Sequence, residues 1–359
     1  MTLGRKAYRV YGMTQSYFTR KLTGYLDYKG IPWLLRRTGG MHPQAAAAGW
    51  PGGIPAAQTP DGQFMWDTTA MIEHLERRYP EPSVLPSDPV QRFLCYLIED
   101  VSDEWLYRPA VGTRWHFEEN TSHGGWGLAR ELTVQVPVSC DQARELVGAH
   151  VRSSCPPLGV SEESIQAWVD EVLRPWLRAL GAHLEQRRFL FGDRPSLADF
   201  AVFGGNVAHF VNDPVCRRWT EADGPAVIAH THRLLEPEDQ VFGDWSEPGS
   251  VPATLIDLLA DIGRLYLPWV SRATVDGSAE LVFDRGPRVP IRATDFLIDA
   301  RGILLARYAA LRCEALDEIL DRSGILSYFA NFLDRAGTIP SYDDPPRPAL
   351  NRPFAPPEG

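Results

Sequence analysis

Asp67, Thr68 and Thr69 follow a short hairpin and open a helix, an arrangement that can hold an anion. The first N–H groups of a helix have no partner within it, and the helix dipole adds partial positive charge, so a carboxylate is favoured there. A threonine hydroxyl supplies a further donor, and an acidic residue beside it can take an ammonium group. Asp and Thr are also ordinary N-caps, a role compatible with ligand binding. Ser16 stands in the same way just before a helix. His230-Thr231-His232 alternates imidazoles, but no third ligand is near in sequence, so these read as loop histidines and no metal is expected. The chain carries no phosphate loop, zinc-protease motif or nucleophile elbow.

The elements that must position these residues follow from pattern. Ile54-Pro55 opens an apolar run, Asp61-Gly62 is the dipeptide of a tight turn, and Gln63 to Asp67 form the returning strand. Met71, Ile72 and Leu75 then recur at helical spacing, and the helix ends near Tyr79, before Pro80. Upstream, Tyr8 to Tyr11 read as a strand, Ser16 to Tyr28 as a helix closed by Gly30, and Trp33 to Arg37 as a second strand, followed by a looped stretch. Strand, helix, strand, hairpin and helix is the order of an α/β thioredoxin-like domain.

That order carries a resemblance. The segments VYGMTQSYFTRKLTGYLDYKGIPW and WDTTAMIEHLERRYPEP, with Ile54-Pro55 between them, resemble the N-terminal domain of glutathione S-transferases, and FLFGDRPSLADFAVFG at Phe189 to Gly204 is similar to the signature of their all-helical C-terminal domain. The resemblance implies a glutathione-binding domain over 1–82 and an all-α domain over 90–236. Residues 237–336 form an added α/β extension like that of long bacterial members, and 337–359 a tail. It also implies glutathione as co-substrate, a small electrophile as second substrate, and a possible homodimer, although the extension can cover the usual interface.

Site residues come with it. The γ-glutamyl end of glutathione is expected at Asp67 and Thr68. Ile54 and a cis-Pro55 would offer backbone groups to the cysteinyl part. Ser16 matches the hydroxyl that serine-type members point at the thiolate, with Tyr11 the main rival and Tyr17 a poorer one. Lowering a thiol pKa by one to two units needs roughly 1.4 to 2.7 kcal/mol, within reach of one hydroxyl plus a helix start. No cysteine lies at this helix start, which disfavours thiol exchange. Gly53 stands where family members often place a basic or amide residue for the glycyl carboxylate, leaving His42, Gln44 or Arg37 as substitutes, His42 the best placed. The acceptor is expected against Trp105, Tyr107, Arg108, Arg114 and Trp115, an aromatic stripe with a cationic edge that is also compatible with simple core packing. The expected activity is thiolate attack on an apolar or aromatic electrophile. A non-catalytic binding protein of the same fold is the alternative, favoured by Gly53 and the extension, and peroxidase-like or isomerase chemistry is open to the same site.

Bulk properties bound the rest. A chain of 359 residues suits two or three domains with real cores. A formal charge of −10 disfavours a nucleic-acid surface. No apolar run approaches bilayer-spanning length, and the polar start TLGRKAYRVY lacks the core of a signal peptide, so a cytoplasmic protein without a membrane partner is expected. Cys95, Cys140, Cys155, Cys216 and Cys313 form neither a disulfide framework nor a metal pattern.

Downstream, Glu81 to Pro89 read as a linker and Val90 to Phe117 as one long helix bent near Pro109. Gly124 to Gly127 break the helical pattern, and Ser161 to Arg188 form a second long helix kinked at Pro175. Ser196 and Asp199 resemble a capping box. Pro252 to Leu267 and Phe296 to Leu320 read as helices, with strands at Ala279 to Asp284 and Arg288 to Ala293. Gly337 to Gly359 carries seven prolines and reads as an extended or disordered tail.

Overall fold

The computed structural model describes residues 7–38, 43–50, 52–134 and 137–337. Its first part runs β1 (Tyr8–Gly12), α1 (Tyr17–Tyr28), β2 (Trp33–Arg37), α2 (Pro43–Ala47), β3 (Ala56–Gln58), β4 (Phe64–Trp66) and α3 (Thr68–Arg78). The sheet order is β2-β1-β3-β4, with β1 and β2 parallel and the other pairs antiparallel. This is the thioredoxin-like arrangement read from the sequence, with the short α2 inside the stretch expected to be looped.

A helical part follows: α4 (Pro89–Asp100), α5 (Tyr107–His116), α6 (Glu118–Leu132), α7 (Cys140–Ser154), α8 (Ile165–Trp168), α9 (Arg174–Leu184), α10 (Leu197–Gly205), α11 (Pro214–Asp223) and α12 (Pro225–Leu235). The expected long helices are present, but a π-helical turn at Val101–Leu106 joins α4 to α5 and another at Val169–Leu173 joins α8 to α9. Each lies just ahead of the proline that was expected to bend the helix, where the missing N–H and the ring clash disturb the regular ladder. The glycines at 124, 125 and 127 do not break the chain; they lie inside α6. A Cβ on Gly124 would sit 2.6 Å from Cδ of Arg114, so close packing outweighs the low helix propensity of glycine here. The Ser196–Asp199 capping box forms as expected. His230 and His232 lie on α12 rather than in a loop. His230 Nε2 is 2.9 Å from Asp199 Oδ1, fully buried, which makes it a core polar group that ties α12 to the start of α10.

The two parts dock chiefly through α1 and α10. A Cβ on Gly204 would lie 2.7 Å from the Tyr17 carbonyl oxygen and one on Gly24 2.4 Å from Phe203, so the crossing requires glycine on both helices. Buried Leu22, Tyr25 and Phe200 fill the contact, each contributing about 1.5–3 kcal/mol by leaving water.

The extension comprises α13 (Ala253–Arg264), α14 (Tyr266–Asp276), the β5 (Ser278–Val282) and β6 (Arg288–Arg292) hairpin, α15 (Asp295–Leu311), α16 (Glu314–Arg322) and α17 (Ser327–Ala330). The strands fall where the alternation placed them, whereas α14 runs past the expected end at Leu267. The extension is not a separate body, because one apolar cluster runs from Tyr8 to Phe329. Trp105 packs against Trp168, Tyr266 and Trp269 at ring separations of 4.5, 5.4 and 5.7 Å, and the Tyr266 hydroxyl donates to Asp100 at 2.6 Å. Helix α15 lies along α4 and reaches α3 through an Arg307–Glu73 ion pair of 2.8 Å. No described helix is long and apolar enough to cross a membrane.

Candidate functional site

The start of α3 is the best-built feature of the expected site. Asp67 has φ 69° and ψ 109°, the only non-glycine residue with positive φ among those described. Its Oδ1 accepts from the N–H groups of Thr69 at 3.1 Å and Ala70 at 3.4 Å, a cap that does not take the Thr68 N–H. Burial pushes the Asp67 carboxyl up to about 6. Thr68 is buried. The Ile54–Pro55 bond is cis, as the resemblance implied, and leads directly into β3.

Ser16 is the N-cap of α1. Its Oγ accepts from the Thr19 N–H at 3.3 Å, which leaves the hydroxyl proton to donate. The loop before it is fixed from the helical part. Glu131 of α6 takes both the N–H and the hydroxyl of Thr14, at 2.9 and 2.6 Å, and Arg114 of α5 donates to the Gln15 carbonyl at 2.9 Å. Tyr11 lies on the opposite face of the sheet from Val10, among Ala45, Trp50, Ala56 and Trp66, and its hydroxyl donates to Gln58 at 3.4 Å. Tyr17 is buried, and its hydroxyl donates to the Ser102 carbonyl.

Gly53 has φ 82°, a conformation that a basic or amide side chain would adopt only under strain. Of its substitutes, His42 and the side chain of Gln44 lie outside the described residues, and Arg37 pairs with Glu131 at 3.5 Å.

A buried polar network that the sequence reading missed links α3 to the helical part. Lys21 of α1, fully buried, reaches Glu99 at 2.6 Å, Asp103 at 2.5 Å and the Thr69 hydroxyl at 3.2 Å, and Thr69 donates in turn to Glu99. Two carboxylates sharing one ammonium in a buried place titrate apart. Burial pushes Asp103 up to about 8 against the pull of Lys21, whereas for Glu99 the nearby Lys21 and Arg307 outweigh burial and hold it below the usual range. The signals were present: Lys21 interrupts the stripe Tyr17, Lys21, Tyr25 at four-residue spacing, and Glu99, Asp100, Asp103 and Glu104 put four acids into one apolar helix. These acids, Asp67 and Thr69 line a narrow cleft of about 50 Å³ together with Arg307, Leu304 and Phe296 of α15.

Residues 10–83 match the N-terminal domain of glutathione S-transferases, and residues 162–233 match their C-terminal domain. A maleylacetoacetate isomerase from Pseudomonas aeruginosa is 32% identical over 199 residues, covering 54% of this chain and 76% of that relative. The chain belongs to the glutathione S-transferase family. Among solved structures it is similar to a glutathione S-transferase from Methylobacterium radiotolerans in complex with glutathione sulfonate, at 20% identity and a TM-score of 0.42, covering 67% of this chain and 99% of that one. It is likewise similar to a GST-like protein from Pseudomonas syringae, at 20% identity and a TM-score of 0.42, covering 64% and 67%. Membership of the glutathione S-transferase family supports a glutathione-dependent, transferase-like role without naming the substrate. Residues 234–359 lie outside both domain matches.

The five residues read as an acceptor pocket are not brought together around one cavity. Trp105 and Trp115 are buried in the core. Arg108 lies over the Trp269 ring at 4.5 Å and donates to the Leu158 carbonyl. Arg114 makes a two-pronged pair with Asp213, at 2.9 Å on each prong, both side chains buried. Tyr107 is half-buried against Phe18 of α1, with ring centroids 5.1 Å apart. Among the described residues, no group of three or more His, Cys, Asp or Glu could hold a metal ion.

Proposed function

We propose that this chain is a glutathione transferase that activates the glutathione thiol at Ser16 for attack on an apolar or aromatic electrophile. The observation that carries the reading is Asp67, held in a strained backbone conformation at the start of α3 beside a cleft. Such conformations persist where the surroundings over-determine them and cluster at ligand clamps. In this reading the γ-glutamyl carboxylate rests on the Thr68 N–H and hydroxyl, its ammonium on Asp67, and the cysteinyl backbone on Ile54. The free hydroxyl proton of Ser16 then donates to the sulfur, and the thiol proton leaves to solvent. The thiolate forms a bond to carbon while the leaving group, or the electron pair of a polarised double bond, takes the displaced electrons. The engagement of Tyr11 with Gln58 supports Ser16 as donor, and the contact of Tyr107 with Phe18 supports Tyr107 as the acceptor-side residue nearest α1.

The relative named as a maleylacetoacetate isomerase favours a second reading for the same site. Reversible addition of the thiolate to a conjugated double bond, rotation and elimination would return glutathione unchanged. Following glutathione during turnover separates the two, since transfer consumes it and isomerisation does not.

Calorimetric titration with glutathione and an absorbance titration of the bound thiol test the proposal. The wild type is expected to lower the thiol pKa by about one to two units, Ser16→Ala to abolish that shift, and Tyr11→Phe to keep it. Absence of binding and of any shifted thiol would remove the transferase reading. A shift lost in Tyr11→Phe and kept in Ser16→Ala would reassign the donor.

A further inference from the structure

Ser16 is placed by a turn whose two central residues are both held by the helical part. The Ser16 N–H donates to the Met13 carbonyl at 3.1 Å and closes the turn between β1 and α1, with Thr14 and Gln15 at its centre. Glu131 of α6, buried, takes the Thr14 N–H on both oxygens, at 2.9 and 3.0 Å, and the Thr14 hydroxyl on Oε1 at 2.6 Å. Arg114 donates to the Gln15 carbonyl at 2.9 Å, and Asn212 donates to Gln15 Oε1 at 3.2 Å. Helix α6 comes this close because Gly127 has no side chain: a Cβ there would lie 2.9 Å from Cδ of Gln15.

Three bonds from one buried carboxylate to one residue make a clamp. Hydrogen bonds to a charged acceptor are about twice as strong as neutral ones, and a carboxylate only accepts, which suits an N–H and an O–H side by side. A glutamine in that place would turn an amide NH2 against one of the two donors. Thr14 stands two residues before the hydroxyl read as the thiolate donor, and a hydrogen bond weakens steeply as its angle closes from linear. A small displacement of the turn therefore costs thiolate stabilisation while leaving Asp67, Thr68 and Ile54 where they are.

We propose that Glu131 is a positioning residue for the Ser16 hydroxyl, so that α6, which lies between the two matched domain segments and in neither, sets the acidity of the bound thiol. The proposal deepens the reading of Ser16 as donor and rests on it. Charge and position act in opposite directions here. Removing the negative charge of Glu131 would by itself ease ionisation of a nearby thiol and lower its pKa, whereas a displaced Ser16 raises it.

The test uses the full chain as wild type, Ser16→Ala, Glu131→Gln, Thr14→Val, Thr14→Ser and the double variant Ser16→Ala/Glu131→Gln, with thermal melts to confirm folding. Calorimetry gives the affinity for glutathione, and absorbance titration gives the pKa of its bound thiol. Glu131→Gln is expected to raise that pKa by at least about half a unit, which is about threefold less thiolate at neutral pH, and to keep the affinity within about twofold. Thr14→Val removes one bond and no charge, so it raises the pKa in the same direction and carries the test should Glu131→Gln not fold. Thr14→Ser keeps both donors and retains the wild-type value. In the Ser16→Ala background Glu131→Gln adds no further rise, because Glu131 acts only through Ser16. A thiol pKa that does not rise in the folded variants, a rise that persists in the Ser16→Ala background, or a rise accompanied by lost glutathione affinity overturns the proposal and leaves Ser16 as donor. A Ser16→Ala protein with the wild-type thiol pKa removes the donor reading and the proposal with it, as does a wild type that does not bind glutathione.

Discussion

Replacing Lys21 with methionine keeps the length and apolar stem of the side chain and removes only its charge. In the wild type the ammonium is fully buried between Glu99 at 2.6 Å and Asp103 at 2.5 Å. Without it Glu99 keeps the Thr69 hydroxyl, and no other cation bonds Asp103 among the described residues. Breaking a buried pair from one side costs about 3–5 kcal/mol, because the remaining charge is left uncompensated. The cost depends on pH, and the sign follows from the protons bound. Asp103 is already raised to about 8 in the wild type, so the new proton in the variant goes chiefly to Glu99, which Lys21 and Arg307 hold ionised in the wild type. A carboxyl whose folded pKa is raised loses stability as pH rises through the window above its unfolded value. The variant therefore falls behind the wild type by about 1.4 kcal/mol per pH unit between roughly pH 5 and 8. Urea unfolding followed by the fluorescence of the eleven tryptophans is expected to show a deficit near 4 kcal/mol at pH 8, by the buried-pair estimate, which all but vanishes at pH 5. Adding Glu99→Gln to the variant should recover much of the loss at pH 8. A deficit below about 1 kcal/mol at pH 8, or one equal at both pH values, would show that these carboxylates are in effect solvated and would refute the reasoning.

Arg114→Met should destabilise by about 3–5 kcal/mol, since it strands the fully buried Asp213, and Arg114→Lys should restore only part because the two-pronged geometry is lost; chemical denaturation measures both. Gly204→Val places a Cβ 2.7 Å from the backbone oxygen of Tyr17, which cannot move aside, so the α1–α10 contact should open at a cost of at least about 1–3 kcal/mol, seen as a lowered melting temperature. An unchanged melting temperature would mean that the two helices cross elsewhere.

Much of the first domain can be read from local chemistry. The caps at Ser16, Asp67 and Ser196, the turn at Asp61-Gly62 and the helical stripe of α3 are short-range signals, and each has its counterpart in the structure. Errors came where packing overrode propensity. The glycines of α6 looked like a break because their value lies in what approaches them, Arg114 and Gln15, and no local pattern shows that. His230 read as a loop residue because its partner in the core, Asp199, lies 31 residues earlier. The acceptor stripe was placed on its helix, but helical periodicity does not distinguish a wall facing a cavity from one covered by α14, and α14 covers Trp105 and Arg108.

The sequence by itself determined the thioredoxin-like order and the helix start that can receive an anion, because caps, turns and periodicity act within a few residues, and the quoted segments carried the resemblance to the family. Only the tertiary structure decided which polar groups meet: Lys21 with Glu99 and Asp103, Thr14 with Glu131 across 117 positions, and Arg307 with Glu73 across 234. Periodicity tells which face a residue occupies, whereas the partner of that face is set by how the elements pack, and the energy of a buried charge depends on that partner.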